Sequence, residues 1–116
     1  MSAWLTAFVW TLAIELPLWA AVQAGAGARF GRVLRVALLL NLATHPLLWM
    51  TSLLLKPEFA ALCGLELCVV ALEAQLVQRW GDPRPSAARA WGGSLCANAL
   101  SWGVGVLVLR AFAAGA

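Results

Sequence analysis

Four long apolar segments decide what this chain can fold into. They run approximately over Ala3–Gln23, Val33–Leu55, Glu58–Gln78 and Ala88–Phe112. Each reaches or exceeds about 20 residues, the length that carries a helix across about 30 Å of hydrocarbon. Strands of that length do not occur in small domains. Only 11% of the 116 residues are charged while 63% are hydrophobic, and the mean hydropathy is +0.85. Soluble chains carry about 25% charged residues, so too little charge is present to coat a water-facing surface, and lipid is the expected solvent.

The breaks between segments carry turn chemistry: Gly25, Gly27 and Gly31; Lys56-Pro57; and Gly81-Asp82-Pro83-Arg84-Pro85-Ser86. These connections are short, so successive helices are expected to pack as antiparallel neighbours. The expectation is an all-α membrane protein, one integral domain over 1–116 with transmembrane helices at about 3–23, 33–55, 58–78 and 88–112. Ala24-Gly25-Ala26 resembles a cleavage site, but no basic region precedes the first segment, and Glu15 and Pro17 interrupt it. That segment is expected to be retained as a helix.

Arginine placement sets an orientation. Arg29, Arg32 and Arg35 lie in or beside the first connection, and Arg79, Arg84 and Arg89 flank the third, against Asp82. The second connection has Lys56 offset by Glu58. The short-loop positive-inside bias puts the first and third connections in the cytoplasm and both termini outside, with Arg110 as a minor exception. Trp19, Trp80 and Trp91 then read as anchors at the cytoplasmic interface, and Trp4 and Trp49 at the outer one. The net charge of +3 is this topological signal; no basic run interleaved with aromatics points to nucleic acid. Seven arginines against one lysine, with abundant alanine, set the expectation of a bacterial inner (plasma) membrane. Cys63, Cys68 and Cys96 are an odd set without metal or redox spacing, expected to be buried thiols acting as small hydrophobes.

Ionisable side chains at membrane depth are costly and mark functional sites by default. Glu15, Glu66 and Glu73 all fall inside apolar segments. In the third, about nine strongly apolar residues each favour insertion by roughly 0.3–0.6 kcal/mol, while each central carboxylate costs on the order of 2.5–3.5 kcal/mol. That helix depends on its neighbours. Glu66 and Glu73 share a face but stand about 10.5 Å apart along the axis, too far to share one site.

The halves of the chain echo one another. Glu15 precedes Asn41 as Glu73 precedes Asn98, and the asparagines open Asn41-Leu-Ala-Thr44 and Asn98-Ala-Leu-Ser101. This pattern is that of a parallel duplication of a two-helix hairpin. At about 1.5 Å per residue, Glu15, Asn41, Glu73 and Asn98 lie roughly 8–15 Å from the cytoplasmic helix ends and can form one layer. Thr11 and Glu15, then Asn41, Thr44, His45 and Ser52, then Ser94, Asn98, Ser101 and Gly105 line single helix faces expected to meet inside the bundle. His45 and Glu66 form an expected second, outer layer. Pro17 and Pro46 leave the carbonyls of Ala13 and Leu42 without helical donors.

Two ionised carboxylates in one dry layer repel, so Glu15 and Glu73 call for a shared proton, a protonated acid or a bound cation. Their oxygen donors, with Asn41 and Asn98, suit a single hard cation in ligand type, but no Glu-x-x-His pair of a di-metal bundle is present. No metal or cofactor is called for by any motif. The serines lack a nucleophile-elbow context, and no cysteine adjoins His45.

The chain is similar to the small multidrug resistance transporters in size, in having four helices and in a first-helix glutamate, here Glu15. The resemblance implies an acid that binds both protons and cationic substrate. Leu16-Pro17-Leu18-Trp19 departs from that family's pattern, and the arginine asymmetry departs from its near-balanced dual-topology members. CAAX-type intramembrane peptidases share only glutamates and a histidine on transmembrane helices; their paired-glutamate motif is absent, and no residue carries over.

The leading expectation is proton- or cation-coupled transport of a small solute, with Glu15, Asn41, Thr44, His45, Glu66, Glu73, Asn98 and Ser101 binding protons, a cation or substrate. The alternatives are an accessory or assembly subunit of a membrane complex and an intramembrane hydrolase using Glu66 and His45. The expected partners are the lipid bilayer and either a second copy or another membrane protein.

Overall fold

The computed structural model describes residues 3–25, 27–56 and 58–115, with side chains described over 5–107 of these. The side chains of Trp4 and Arg110, together with Ala26 and Pro57, lie outside the described residues. Four helices make up the structure: α1 (Ala3–Ala24), α2 (Phe30–Leu55), α3 (Phe59–Trp80) and α4 (Ala87–Gly115). Among the described residues, α1, α2 and α3 are long and apolar enough to cross a membrane.

The ends follow from local chemistry. Past α1, Gly27 takes φ 83°, a left-handed conformation that glycine adopts without a Cβ penalty. The second helix starts three residues earlier than its apolar pattern does, because Gly31 and Arg32 continue the helix that Arg29 opens: both Arg32 N and Val33 N donate to its carbonyl. Lys56 closes α2 in the left-handed region at φ 41°, its N–H donating to Ser52 O. Ser86 caps α4, its Oγ accepting from Arg89 N at 3.3 Å. Helices α1 and α2 run unbroken through Pro17 and Pro46.

Each helix packs against two neighbours in the ring α1–α2–α3–α4–α1, and the diagonal pairs do not approach among the described residues. The bundle is 46 Å long and 26 × 21 Å across. Its packed core lies toward the end that carries the first and third connections. Buried positions on α2 run from Val33 to Thr44, and those on α3 from Val70 to Val77. Arg32 of α2 pairs with Asp82 of the third connection, joining these two connections on one end.

Polar groups share the core with apolar ones, and large apolar side chains face outward. Glu15, Gln23, Asn41, Thr44, Glu73, Ser94 and Asn98 are buried, while Leu39, Leu42, Leu47, Leu53, Leu67, Leu95 and Leu100 are exposed. Two expectations need correction. Trp19 is no interface anchor: its indole is fully buried among Val36, Ala37, Leu40, Val77 and Ala90, whereas Trp80 and Trp91 stay exposed. The cysteines are not core thiols either. Cys68 and Cys96 are exposed and Cys63 is half-buried, all three free, because their helix positions fall outside the inward stripes.

Candidate functional site

The polar stripes converge on Glu73. Its Oε1 accepts from Thr44 Oγ1 of α2 at 3.0 Å. Its Oε2 accepts from Asn98 Nδ2 at 2.7 Å and from Ser94 Oγ at 3.2 Å, both on α4. Asn98 Nδ2 also donates to Ser94 O at 3.0 Å. It also lies 3.4 Å from Ser94 Oγ, and its carboxylate and carbonyl partners only accept, which fixes the amide orientation.

Glu15, on the helix diagonal to α3, is buried in the same region and interacts electrostatically with Glu73. Its Oε1 accepts from Ser101 Oγ of α4 at 3.0 Å. Asn41 stands within electrostatic reach of Glu15 while its Nδ2 donates to Ala37 O at 3.1 Å. Glu15, Asn41, Glu73 and Asn98 therefore meet in one buried region, one from each helix. The hydroxyls three residues beyond the asparagines cross over: Thr44 binds the glutamate of the second hairpin and Ser101 that of the first.

The three hydroxyls share a property that bears on chemistry. A hydroxyl has one proton to donate and two lone pairs, yet each of these faces two acceptors. Thr44 Oγ1 also lies 2.9 Å from Leu40 O, Ser94 Oγ 2.9 Å from Val70 O, and Ser101 Oγ 3.1 Å from Asn98 O. Turned toward the carboxylate, they satisfy its ionised form. Turned toward the backbone carbonyl, they leave a lone pair to accept from a protonated acid. The site can hold either protonation state with no heavy atom moving. Because Asn98 only donates to Oε2, a proton on Glu73 belongs on Oε1, facing Thr44.

The remaining candidates lie apart from this cluster. No hydrogen bond or ion pair joins His45 to Glu66 among the described residues. The His45 ring instead lies 5.4 Å from that of Phe8 on α1, tilted by 41°, and among the described residues its buried Nε2 meets no hydrogen-bond partner. Glu66 is half-buried and lines a crevice of about 250 Å³ between α3 and α4, with Cys63, Leu67, Leu95, Asn98 and Trp102. Asn98 thus touches both the crevice and Glu73. Rotation of α2 explains the missing pair: the face that sends Asn41 and Thr44 inward turns His45 toward α1. Among the described residues, no three His, Cys, Asp or Glu side chains gather as a metal would require.

Three buried residues stand outside the expected site set. Ser94, one turn before Asn98, is on the inward stripe that the sequence marks, and the structure adds its bond to Glu73. Trp19 and Gln23 follow Glu15 at four-residue steps and are fully buried. Their helical register was visible; their burial was not.

Comparison with known proteins gives no family model, no curated protein and no solved structure that matches this chain.

Proposed function

We propose that this chain is a four-span protein of a bacterial inner membrane that moves a small solute or ion by exchanging protons or a cation at Glu15 and Glu73. The observation that carries the reading is the buried carboxylate pair whose hydroxyl partners serve both protonation states. The second acceptor of Thr44 and Ser101 is a carbonyl of their own helix, as it is for Thr51 and Ser52, so these hydroxyls permit both states, and the joint burial of Glu15 and Glu73 is what argues for their use.

The fourth span is α4, 29 residues long, or about 43 Å at 1.5 Å per residue. Its polar residues Ser94 and Asn98 are buried and Leu95 and Leu100 exposed, as a lipid-facing helix requires. Exposed arginines crowd the end with the first and third connections, which favours a cytoplasmic placement for it and external termini. A duplicated hairpin is supported by the register of burial. Adding 57, the Asn41-to-Asn98 offset, to the buried α2 positions Val33, Val36, Ala37, Leu40, Asn41 and Thr44 gives Ala90, Gly93, Ser94, Ala97, Asn98 and Ser101. The first five of these are buried and the last is half-buried. His45 then corresponds to Trp102, and with the Glu15-to-Glu73 offset of 58 for α1 and α3, Phe8 corresponds to Glu66, so the second half has a carboxylate where the first has a ring.

The test uses the full chain in proteoliposomes with an internal pH indicator and imposed gradients of candidate cationic and neutral solutes. Solute-driven proton flux is expected for the native protein and not for Glu15→Gln or Glu73→Gln. Flux that survives both substitutions removes the carrier reading.

A second reading, an accessory subunit or a homo-oligomer, has its own observation. A groove of about 470 Å³ between α1 and α4 is lined by Ala21, Gly25, Ala88, Gly92 and Gly93 together with the larger Leu18, Val22, Arg89 and Cys96, and its small residues would let another helix approach closely. Co-purification with one fixed larger protein, lost on Glu→Gln substitution, would favour it. The hydrolase alternative needs Glu66 and His45 on one wet cavity, and only Glu66 borders the crevice.

A further inference from the structure

The crevice between α3 and α4 sets an unanswered charge among apolar walls. It encloses about 250 Å³, a size for a compact ligand. Leu67, Val70, Leu95 and Ala99 supply its apolar lining. Glu66, half-buried on its wall, accepts no hydrogen bond and meets no cation among the described residues, where the ion pair joins Arg32 to Asp82 instead. Glu73, two turns further along α3, is served by Thr44, Ser94 and Asn98, so the bare carboxylate is peculiar to Glu66. Asn98 also borders the crevice. Its Nδ2 is committed to Glu73 and to Ser94 O, which leaves the acceptor Oδ1 as the group it can still offer. One turn beyond it stands Trp102, whose ring packs against that of Phe59 at 5.9 Å, tilted by 40°.

We infer that this crevice binds a compact hydrophobic ammonium compound, its cationic head between Glu66 and the Trp102 ring and its apolar body against Leu67, Val70 and Leu95. That such a compound is the solute moved rests on the carrier reading above; its binding does not. A carboxylate supplies the opposite charge, and an indole ring attracts a cation through its quadrupole, most strongly where water is excluded. An inorganic ion is a poorer occupant. Hard cations take about six or more oxygen ligands, and among the described residues no three His, Cys, Asp or Glu side chains gather. A lipid acyl chain would fill the apolar walls and leave the carboxylate unpaired, which is costly away from water. A lipid amine headgroup stands at the wrong depth, because Glu66 lies seven residues past Phe59, about 10.5 Å along the axis. Leu67 and Leu95 on the rim are 63% and 52% exposed, so the crevice opens sideways, toward lipid, and admits a ligand dissolved there. Asn98 borders the crevice and donates to Glu73 Oε2 at 2.7 Å, and Glu66 and Glu73 interact electrostatically. A cation beside Glu66 therefore acts on the buried carboxylate through one side chain and through its charge.

The test uses the full chain in dodecyl maltoside micelles, which carry no ammonium group, with fluorotryptophan at its seven tryptophans read by ¹⁹F NMR. The Trp102 resonance is assigned by its loss in Trp102→Phe. Titration with benzyltrimethylammonium, a permanent cation, should shift that resonance to saturation and leave those of the exposed Trp10, Trp80 and Trp91 in place. Neopentylbenzene, the same molecule with carbon in place of nitrogen, should give no saturating shift at Trp102. Glu66→Gln should weaken binding of the cation about tenfold or more, with the other tryptophan resonances unmoved as the control for folding. Absence of a saturable shift in the native chain overturns the proposal. So does a Trp102 shift that neopentylbenzene reproduces, or an affinity that Glu66→Gln leaves unchanged. If the cation binds through Glu66 but drives no proton flux in proteoliposomes, the carrier reading falls and the site stands. Proton flux driven by another solute, with no binding in the crevice, does the reverse.

Discussion

The pseudo-equivalence of Ala37 and Ser94 allows one buried oxygen atom to be moved between the halves. Ser94 supplies Glu73 Oε2 with its second donor, at 3.2 Å beside Asn98 at 2.7 Å. Ala37 has nothing to supply, and among the described residues Glu15 Oε2 is left without a hydrogen-bond partner. Ser94→Ala leaves Oε2 of Glu73 with its shorter bond, so the loss is that of one secondary hydrogen bond, about 0.6 kcal/mol for a membrane interior. The better helix propensity of alanine offsets part of this. Ala37→Ser gives Glu15 Oε2 its first donor and relieves an unpaired acceptor worth about 1–3 kcal/mol. After a propensity cost of about 0.5 kcal/mol, a net stabilisation of about 0.5–2.5 kcal/mol remains. Reversible unfolding by detergent titration in mixed micelles measures both. A double-mutant cycle with Glu15→Met, which keeps volume and removes the acceptor, isolates the pairing, with an expected coupling of about 1 kcal/mol. If Ala37→Ser destabilises, or its gain persists beside Glu15→Met, the two halves do not correspond as described.

Other consequences are checked in the same way. A Cβ on Gly93 would sit 2.6 Å from Val22 Cγ2, while nothing lies within 4 Å of one on Gly92. Gly93→Leu should therefore cost about 1–3 kcal/mol by parting α1 and α4, and Gly92→Ala should be neutral or stabilise by up to about 1 kcal/mol. Trp19→Ala should lose about 3–5 kcal/mol as a core truncation, and Trp80→Ala much less, with Trp80 45% exposed; equal losses would return Trp19 to the interface. The Arg32–Asp82 pair is exposed on both sides, so Asp82→Asn should change unfolding free energy by under about 1 kcal/mol, and less in high salt.

Helix existence was legible because apolar length and turn residues agree: Gly27, Lys56 and Ser86 each end or open a helix where the sequence breaks. The meeting of Glu15, Asn41, Glu73 and Asn98 was legible because depth along a helix is arithmetic and polar residues are rare enough to share a face. Azimuth between helices was not. His45 and Glu66 stand at similar depth, but the register that turns Asn41 and Thr44 inward points His45 at Phe8. No pattern within α2 alone encodes which neighbour a side chain will face. Trp19 was misread for a related reason. An amphipathic ring near a helix end suits both an interface and a core, and the decision came from the small partners Ala37 and Ala90 on other helices. Gln23, also near that end, reads as a boundary residue until its burial is known.

The central claim is that Glu15 and Glu73 change protonation as the protein works. Infrared difference spectroscopy in lipid reads this directly, because the acid and carboxylate forms absorb at separate frequencies. A pH jump across the reconstituted native chain should give a reversible exchange of acid for carboxylate bands, diminished in Glu15→Gln and in Glu73→Gln and reduced in the doubly substituted chain to the bands of Glu58, Glu66, Asp82 and the terminal carboxyl. Difference spectra identical in the native chain and the doubly substituted one would contradict the account.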